Sequence, residues 1–383
     1  MAADPRAIPL SLYVHLPWCE RKCPYCDFNS HENFHTEDEG PYITALLQDL
    51  EQQKPRILGR KPASIFIGGG TPSLFSGASI AQLLEGIDRI WGLEKGTEIT
   101  LEANPGSAEV ARFRAYRDAG VSRVSIGVQS FDDRHLARLG RIHQSDEAKA
   151  AIAAAATIFE NWNIDLMHGL SEQTVELAIA DIETAIAFGG NHLSWYQLTV
   201  ERNTRFWSNP PLLPKEEELA AIQEAGSSLL GDSGFSQYEV SAWAREGRVS
   251  QHNMNYWEFG DYLGIGAGAH GKLTSENGQV IRTQRTRLPR DYSIGIQSDT
   301  PTIDHVIPSQ DLAAEFMMNA LRLRGGVDVQ LFSQRTGQSQ ACMEPTRRTL
   351  RARGLLTDSE HRLQTTSLGY RFLNSVASEF LVR

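Results

Sequence analysis

The feature that most constrains the fold of this chain is a regular alternation of strand-like and helix-like segments along residues 1–200. Short apolar runs that fit buried strands lie at residues 10–16, 63–68, 97–103, 122–129, 163–167 and 192–198. Helix-like stretches separate them, at residues 41–53, 80–91, 108–119, 147–159 and 175–187. Strands joined by helices favour a parallel sheet, because a parallel pair needs a crossover connection. Six strands predict an α/β fold, a partial (β/α)6 TIM-type barrel that is open rather than closed by eight strands.

Side-chain alternation within the strands predicts a polar interior for this barrel. In the third strand, Glu98, Thr100 and Glu102 share one face, whereas Ile99 and Leu101 lie on the other. The fourth and fifth strands alternate in the same way. The apolar face would pack on the helices and turn polar side chains inward, and such an interior is typical of a binding site. An antiparallel sheet with a solvated face is the alternative, which the intervening helices disfavour.

In such a barrel, function sits at the carboxyl ends of the strands. The second strand ends in G-G-G-T-P, residues 68–72, where glycines let the backbone approach a ligand closely. The third ends at Glu102, the fourth at Gln129, and the fifth carries Asp165. Five strands, the first of which leads into a cysteine-rich loop, therefore deliver polar or glycine-rich ends to one rim.

Three cysteines follow the first strand at C-x3-C-x2-C spacing: Cys19, Cys23 and Cys26. Thiolates this close in a short loop can converge on one soft metal centre. Iron–sulfur cubanes normally take four cysteines, so three would leave one iron open to bind and activate a small molecule. A structural zinc site with His15 or His31 as fourth ligand is the alternative, although the chain lacks the second metal-binding pair of zinc ribbons.

Composition and charge exclude several classes of function. The chain has 383 residues and a formal net charge of −10, which argues against a general nucleic-acid binder. Its longest apolar tract, residues 148–159, is too short to cross a bilayer, and residues 1–9 contain no signal-peptide core. Four cysteines in a chain of this length fit a reducing compartment. We therefore expect a soluble cytoplasmic protein.

A second candidate motif, Q-H-N-M-N-Y-W, contains His252, Asn253, Tyr256 and Trp257. A histidine beside a tyrosine–tryptophan pair could ligate haem iron, with the rings lying against the porphyrin. The other interpretation is a packed aromatic corner with a hydrogen-bonded histidine. The residues alone favour this second interpretation.

The chain changes character after residue 310. Helical stretches at residues 312–322, near 331, at 343–353 and at 368–381 accompany a hairpin at about residues 358–361, a pattern that resembles a winged-helix unit. Its mixed charge favours a packing or partner-docking role over DNA binding. The predicted domains are a barrel with the cysteine loop (1–200), a barrel extension that carries H-N-x-x-Y-W (201–305) and a winged-helix-like domain (306–383). The extension is predicted to contain a helix at 216–230 and a strand at 235–243.

Together these motifs resemble the radical S-adenosylmethionine (SAM) proteins, and within them the HemW-type haem chaperones of the oxygen-independent coproporphyrinogen III oxidase-like family. The motifs are H-L-P-W-C-E-R-K-C-P-Y-C-D-F, G-G-G-T-P-S, E-A-N-P-G, S-I-G-V-Q-S-F, L-G-R-I-H, D-L-M-H-G-L and H-N-x-x-Y-W. The resemblance implies a barrel of the radical SAM kind with a [4Fe–4S] cluster on the three cysteines. It implies haem contact for H-N-x-x-Y-W, with His252 as the leading ligand candidate. It also implies a SAM site formed by Tyr13, Gly69, Gly70, Thr71, Glu102, Gln129, Arg141 and Asp165.

Two departures from the true oxidases bear on function. Those enzymes carry a fourth cysteine where this chain has Phe28, and they have a longer segment before the cluster loop. Both departures are typical of the chaperone subgroup, which implies haem as cargo and transfer to apo-haem proteins, membrane-bound respiratory enzymes among them. The expected protein is a monomer or weak dimer, cytoplasmic or peripheral at the inner face of the membrane. The alternative is an oxygen-independent coproporphyrinogen III dehydrogenase that carries out oxidative decarboxylation.

Overall fold

Six parallel strands form the centre of the fold in the computed structural model, which describes residues 3–298 and 303–381. They pair side by side in chain order, so the predicted (β/α)6 arrangement is confirmed. The strands are β1 (Leu10–Leu16), β2 (Pro62–Gly69), β3 (Glu98–Ala103), β4 (Arg123–Gln129), β5 (Asn161–His168) and β6 (His192–Gln197).

Helices connect these strands and cover the outer face of the sheet. They are α1 (Glu39–Ile57), α2 (Gly77–Trp91), α3 (Ser107–Val110), α4 (Phe113–Asp118), α5 (Asp133–Arg138), α6 (Ser145–Ile158) and α7 (Val175–Ala187). Side chains define several starts: Ser76 accepts from the Ser79 N–H at α2, and Thr174 accepts from the Leu177 N–H at α7. The single helix predicted at residues 108–119 is wrong in detail, because the structure divides it into α3 and α4.

The sheet continues beyond the six central strands at both edges. Next to β6 lie β8 (Ala242–Ala244) and β7 (Ser236–Glu239), and next to β1 lie β9 (Asp261–Ile265), β10 (His270–Thr274), β11 (Val280–Gln284) and β12 (Ile303–Val306). Strand β9 runs parallel to β1, and β10 to β12 are antiparallel to their neighbours. The single strand predicted at 235–243 is wrong. It is a hairpin, because the chain turns where the Ser241 N–H donates to Glu239 Oε1 at 3.0 Å.

Four further helices complete the region between β6 and β12. They are α8 (Arg205–Ser208), α9 (Glu216–Asp232), α10 (Gln251–Trp257) and α11 (Pro289–Gln297). Helix α9 packs on α7, α11 packs on α1, and α10 packs beneath β2. Helix α10 contains the complete H-N-x-x-Y-W motif.

The C-terminal part has its own apolar core, in which Phe316 and Phe332 pack edge to face with ring centroids 5.3 Å apart. Its two short strands pair in antiparallel fashion, so helices with a small sheet form the predicted winged-helix-like unit. The helix predicted at 368–381 is two short helices. The elements are α12 (Leu312–Ala320), β13 (Val327–Asp328), α13 (Val329–Thr336), α14 (Glu344–Ala352), β14 (Arg362–Leu363), α15 (Ser367–Arg371) and α16 (Leu373–Ser378).

The large sheet continues as far as Val306, and the apolar core beneath it includes residues from Leu10 to Ile296. The domain boundaries at 200/201 and 305/306 stay predictions. Within the residues that the structure describes, no helix is long and apolar enough to cross a membrane.

Candidate functional site

A cavity of about 380 Å³ opens at the carboxyl ends of the parallel strands. All three clustered cysteines line it, as do seven of the eight residues predicted to bind SAM. Those residues are Cys19, Cys23, Cys26, Gly69, Gly70, Thr71, Glu102, Gln129, Arg141 and Asp165. Residues far apart in the sequence therefore meet at the rim where strand-end chemistry was expected.

The cysteine loop is held by its own backbone. The Cys19 N–H donates to the His31 carbonyl at 2.9 Å, and the His31 N–H donates to the Pro17 carbonyl at 2.7 Å, so the two ends of the loop are tied together. Burial raises the pKa of Cys19, and it raises the pKa of Cys26 to about 11. Both thiols are therefore protonated at neutral pH unless a metal centre binds them as thiolates, because metal binding displaces the proton.

Two side chains direct hydrogen bonds at the cysteine sulfurs. The Thr71 hydroxyl donates to Cys19 Sγ at 3.4 Å, and Arg141 Nη1 donates to Cys23 Sγ at 3.7 Å. Donors aimed at sulfur favour the thiolate form that an iron–sulfur cluster requires. Both donors were predicted as SAM residues, and neither contact could be read from sequence spacing.

The histidines that would complete a zinc site are engaged elsewhere. His15 contacts the Tyr13 hydroxyl at 2.7 Å through Nδ1 and the Asn29 carbonyl at 2.8 Å through Nε2. His31 contacts the Arg287 carbonyl at 3.2 Å through Nε2. Among the described residues, no three His, Cys, Asp or Glu side chains meet at a single-ion site.

Tyr13 is the one predicted SAM residue that does not line the cavity. Its hydroxyl bonds to His15, and its ring stacks on Phe66 with centroids 5.9 Å apart. Both neighbours belong to the first two strands, so Tyr13 supports the floor of the barrel. Its role toward SAM stays a prediction.

The glycine segment after β2 lies tightly against the cysteine loop. A side chain at Gly70 would collide with the Trp18 backbone, and Gly69 has a φ of +118°, which favours glycine. The Gly69 N–H donates to Glu102 Oε2 at 3.1 Å. The glycines therefore allow an approach of two backbone segments that any larger residue would prevent.

Two carboxyl groups, those of Glu102 and Asp165, line the cavity. Burial and then the neighbouring Asp165 raise the pKa of Glu102 to about 8, and the Gly69 N–H offsets this only in part. Burial also raises the pKa of Asp165, although it accepts from Ser125 Oγ at 2.9 Å and Asn163 Nδ2 at 2.7 Å. Like charges this close disfavour ionisation of both groups, so polar hydroxyl or ammonium groups of a ligand would relieve the repulsion.

Gln129 and Arg141 carry signs of a ligand site. Gln129 has a φ of +72°, an unusual conformation for a residue with a side chain, and its Oε1 accepts from the Tyr196 hydroxyl at 2.6 Å. Arg141 Nη2 donates to the Gly127 carbonyl at 2.7 Å, whereas its buried Nε has no hydrogen-bond partner among the described residues. Strained backbone and an unsatisfied cationic donor are features that concentrate at binding sites.

The cavity residues that sequence reasoning did not assign to the site include Tyr25, Asn104 and Tyr196. Asn104 directly follows β3 in E-A-N-P, so its position at a strand end was a usable signal. Tyr196 lies near the end of β6, the one central strand whose carboxyl end contributed no candidate. Tyr25 stands between two of the cysteines, and its ring packs near Phe206 with centroids 6.3 Å apart.

The residues present fit a cluster and a SAM molecule. Three thiols line the cavity, glycine backbone lies next to the cysteine loop, and two carboxyl groups are also in the lining. The donor set is soft sulfur, which suits iron–sulfur centres, and the Arg141 guanidinium, which lines the cavity, can pair with an anionic group. The residues assigned to the two cofactors thus share one cavity.

The H-N-x-x-Y-W motif lies at the other end of the barrel, near the amino ends of the strands. His252 is only 6% exposed and stacks on Phe66 with ring centroids 4.2 Å apart. Its Nδ1 lies 2.9 Å from Ser250 Oγ and 3.5 Å from Glu98 Oε1. Burial lowers the pKa of His252 despite the nearby carboxylate. The structure therefore does not bring this motif together with the cysteine cavity.

The other residues of the motif pack within the protein. Asn253 Nδ2 donates to the Tyr238 hydroxyl at 2.9 Å, and Tyr256 packs edge to face on Tyr262 with centroids 4.8 Å apart. The ring of Trp257 lies beneath the Arg322 guanidinium at 4.3 Å, at the boundary with the C-terminal core. These contacts match the packed aromatic corner that the residues alone favoured.

Comparisons with known proteins cover nearly the whole chain. Residues 13–183 match the model of the Radical SAM superfamily, and residues 307–372 match that of the HemN C-terminal domain. The chain is 46% identical over 374 residues to "Heme chaperone HemW" of Escherichia coli (strain K12), which covers 97% of this chain and 98% of the relative. A protein of the same name from Haemophilus influenzae is also 46% identical, over 98% of this chain and 99% of the relative.

One solved structure is similar over nearly the full length. It is described as "Coproporphyrinogen III oxidase (HemN) from Escherichia coli is a Radical SAM enzyme", with a TM-score of 0.82 and 22% identity. The match covers 97% of this chain and 90% of the other. At that identity, the likeness shows the fold alone.

Proposed function

Since the chain belongs to the HemW family of radical SAM proteins, we propose that it is a haem chaperone that carries a [4Fe–4S] cluster and a SAM site. Haem is the proposed cargo, and apo-haem proteins are the proposed recipients. The observation that carries the cofactor part is the meeting of three cysteines and seven predicted SAM residues on one cavity. The name of the two relatives, which are 46% identical to this chain over nearly its full length, supports haem as the cargo.

In this proposal, Cys19, Cys23 and Cys26 hold the cluster, and the SAM residues surround its open side. When bound, a cluster of this type would supply one electron to the SAM sulfonium. The residues of the chain do the positioning: the Gly69–Gly70 backbone admits the methionine end, and Glu102 faces the ribose hydroxyls. Arg141 lines the cavity and offers its guanidinium to an anionic group of the ligand.

Phe28 favours the chaperone over the oxidase. It stands where the oxidases of the family carry a further cysteine, it lines the cavity, and its side chain is 58% exposed. An exposed phenyl ring cannot replace a thiolate, but it offers an apolar contact at the mouth of the site. Coproporphyrinogen III dehydrogenase activity is the second candidate, and it is supported only by a fold shared with the oxidase.

Haem binding through His252 stays part of the proposal. It requires helix α10 to move. In the conformation described here, the imidazole is buried against Phe66 and bonded to Ser250. Haem ligation through His252 would therefore break this packing. Delivery to membrane-bound respiratory proteins, a cytoplasmic or peripheral location and a monomer or weak dimer remain further parts of the proposal.

Two measurements on one anaerobically reconstituted sample test the function. A haem titration followed at the Soret band should show saturable, stoichiometric binding. Incubation with coproporphyrinogen III, SAM and a reductant should leave the substrate unchanged. Conversion to protoporphyrinogen IX under these conditions would show that the protein is a coproporphyrinogen III dehydrogenase rather than a chaperone. Failure to bind haem at all would contradict the proposal that haem is the cargo.

A further inference from the structure

A chain of hydrogen bonds joins two of the three cysteine sulfurs through Asn104, a residue to which the family resemblance assigns no role. The Thr71 hydroxyl donates to Cys19 Sγ at 3.4 Å, and the same oxygen accepts from Asn104 Nδ2 at 3.2 Å. On the other side, Asn104 Oδ1 accepts from Arg141 Nη2 at 2.7 Å, and Arg141 Nη1 donates to Cys23 Sγ at 3.7 Å. One amide thus lies between the donors of two ligand sulfurs.

We call the hydrogen bonds that run from Thr71 through Asn104 to Arg141 the relay. Chemistry decides which atom donates and which accepts in each of them. Arginine has only donors, so the atom of Asn104 that faces Arg141 must be the amide oxygen. The amide nitrogen then faces Thr71 and donates to its oxygen. A hydroxyl has a single proton, and because Thr71 accepts from Asn104, that proton is free to point at Cys19 Sγ. Asn104 therefore determines the direction in which the Thr71 O–H bond points.

Asn104 is itself held firmly enough to do this. Its backbone N–H donates to Ser73 Oγ at 3.2 Å, directly after the end of β3. The Gly127 carbonyl accepts from the same Arg141 Nη2 at 2.7 Å, which fixes the plane of the guanidinium. The two donors that reach sulfur are thus oriented before any cofactor binds.

We propose that Asn104 is a positioning residue that sets the reduction potential of the cluster on Cys19, Cys23 and Cys26. This inference rests on the proposed function, since it assumes that the cysteines hold a cluster. Reduction adds negative charge to the cluster, and hydrogen bonds to its sulfurs stabilise that charge. By holding one neutral donor and one cationic donor on two sulfurs, Asn104 raises the potential and eases reduction.

The test is a redox titration of the reconstituted full-length protein, with the reduced cluster followed by electron paramagnetic resonance. Asn104→Ala should lower the midpoint potential by about 59 mV, equivalent to a tenfold smaller reduction equilibrium for one electron. Asn104→Asp should lower it as well, because the carboxylate still accepts from Arg141 but draws the Thr71 proton away from Cys19. The effect of Asn104→Ala should shrink in a Thr71→Val background, where the hydroxyl is already absent.

Two controls separate the relay from general disturbance of the cavity. Thr71→Ser keeps the hydroxyl and should keep the potential of the unmodified protein. Gln197→Ala changes an exposed amide that lines the same cavity without belonging to the relay, and it should also leave the potential unchanged.

Iron and sulfide analysis makes the outcomes distinct. In one outcome, the unmodified protein contains iron and sulfide while Asn104→Ala and Asn104→Asp have the same midpoint potential as the unmodified protein. That result would overturn this inference alone. If the unmodified protein takes up no iron and sulfide, the inference and the proposed function both fail. Should Asn104→Ala not fold, the nearly isosteric Thr71→Val carries the test, and an unchanged potential there overturns the relay.

Discussion

The two ends of the barrel contain similar kinds of side chain but differ in the space around them. At the cysteine end, the side chains line a cavity of about 380 Å³, and Gln129 holds a left-handed backbone. At the other end, His252 has polar partners, an aromatic ring against its face and almost no exposure. Backbone strain costs free energy, so it persists where a ligand compensates for it.

This difference separates two motifs that look equally functional as sequence. The cysteine loop, the glycines and the strand-end carboxyl groups surround open space, whereas H-N-x-x-Y-W fills its space with its own rings. The first arrangement is built for occupants, and the second supports the junction between the barrel and the C-terminal unit. Changes at the two ends should therefore affect different measurements.

The largest effect is expected from removing one of the cysteines that would bind the cluster, at the cysteine end of the barrel. Cys23→Ser should lose most of the iron and sulfide found in the anaerobically reconstituted protein, because serine is a poor ligand for a soft metal centre. The exposed Cys342 lies outside the cavity, so Cys342→Ser is the matched control and should load fully. Stoichiometric zinc without sulfide in the unmodified protein would contradict the cluster.

At the packed end, the expected loss is in folding. His252→Ala removes a stacked imidazole and leaves the Ser250 hydroxyl with only the Asn253 N–H as partner, which should lower the free energy of unfolding by about 2–4 kcal/mol without haem present. Chemical denaturation measures this, and His305→Ala, at an exposed site, should have no effect.

The same His252→Ala sample tests whether His252 is a packing residue or a haem ligand. A variant of undiminished stability that has lost the Soret band would make His252 a haem ligand rather than a packing residue. An unchanged Soret maximum and haem affinity together with lower stability would support the contrast between the two ends.

A smaller effect is expected on SAM affinity. Glu102 is ionised above its pKa of about 8, so at about pH 8.5 Glu102→Ala removes one charge-assisted hydrogen bond, on the order of 1.5–3 kcal/mol, which corresponds to roughly ten- to a hundredfold weaker binding by calorimetry. Glu201→Ala removes an exposed carboxylate at the margin of the same cavity and should bind as the unmodified protein does. Equal affinities in the two variants would count against Glu102 as a ribose contact.

The smallest effect is a pH dependence of stability in the protein without SAM. Because the pKa of Glu102 is raised from its ordinary 4.5 to about 8, its neutral form stabilises the fold fully below pH 4.5, and this contribution is lost as pH rises from 4.5 to about 8. Glu102→Gln stays neutral, so its thermal stability should equal that of the unmodified protein at about pH 4.

At pH 8.5, Glu102→Gln should be more stable by about 1 kcal/mol, a value discounted because the carboxyl is only half-buried. Differential scanning calorimetry at the two pH values checks this. Parallel pH profiles for the two proteins would show that Glu102 ionises freely.

Much of the fold was predictable because its signals are local. The predicted first strand and the predicted helix at 175–187 agree with β1 and α7 at both ends, since apolar runs and helical periodicity depend on neighbours in sequence. Strand β9 was not predicted. It pairs with β1 from the far part of the chain, and its short, glycine-containing run carries no strand signal of its own.

The sequence by itself determined the barrel, the cysteine loop and the rim on which the candidate residues lie, because spacing and alternation decide which way successive side chains point. Only the tertiary structure decided what those residues meet. It set Tyr13 against His15, buried His252 at the far end and linked Cys19 to Cys23 through Asn104. Such contacts join strands and loops distant in the chain, and their geometry depends on packing over the whole sheet, which no local pattern encodes.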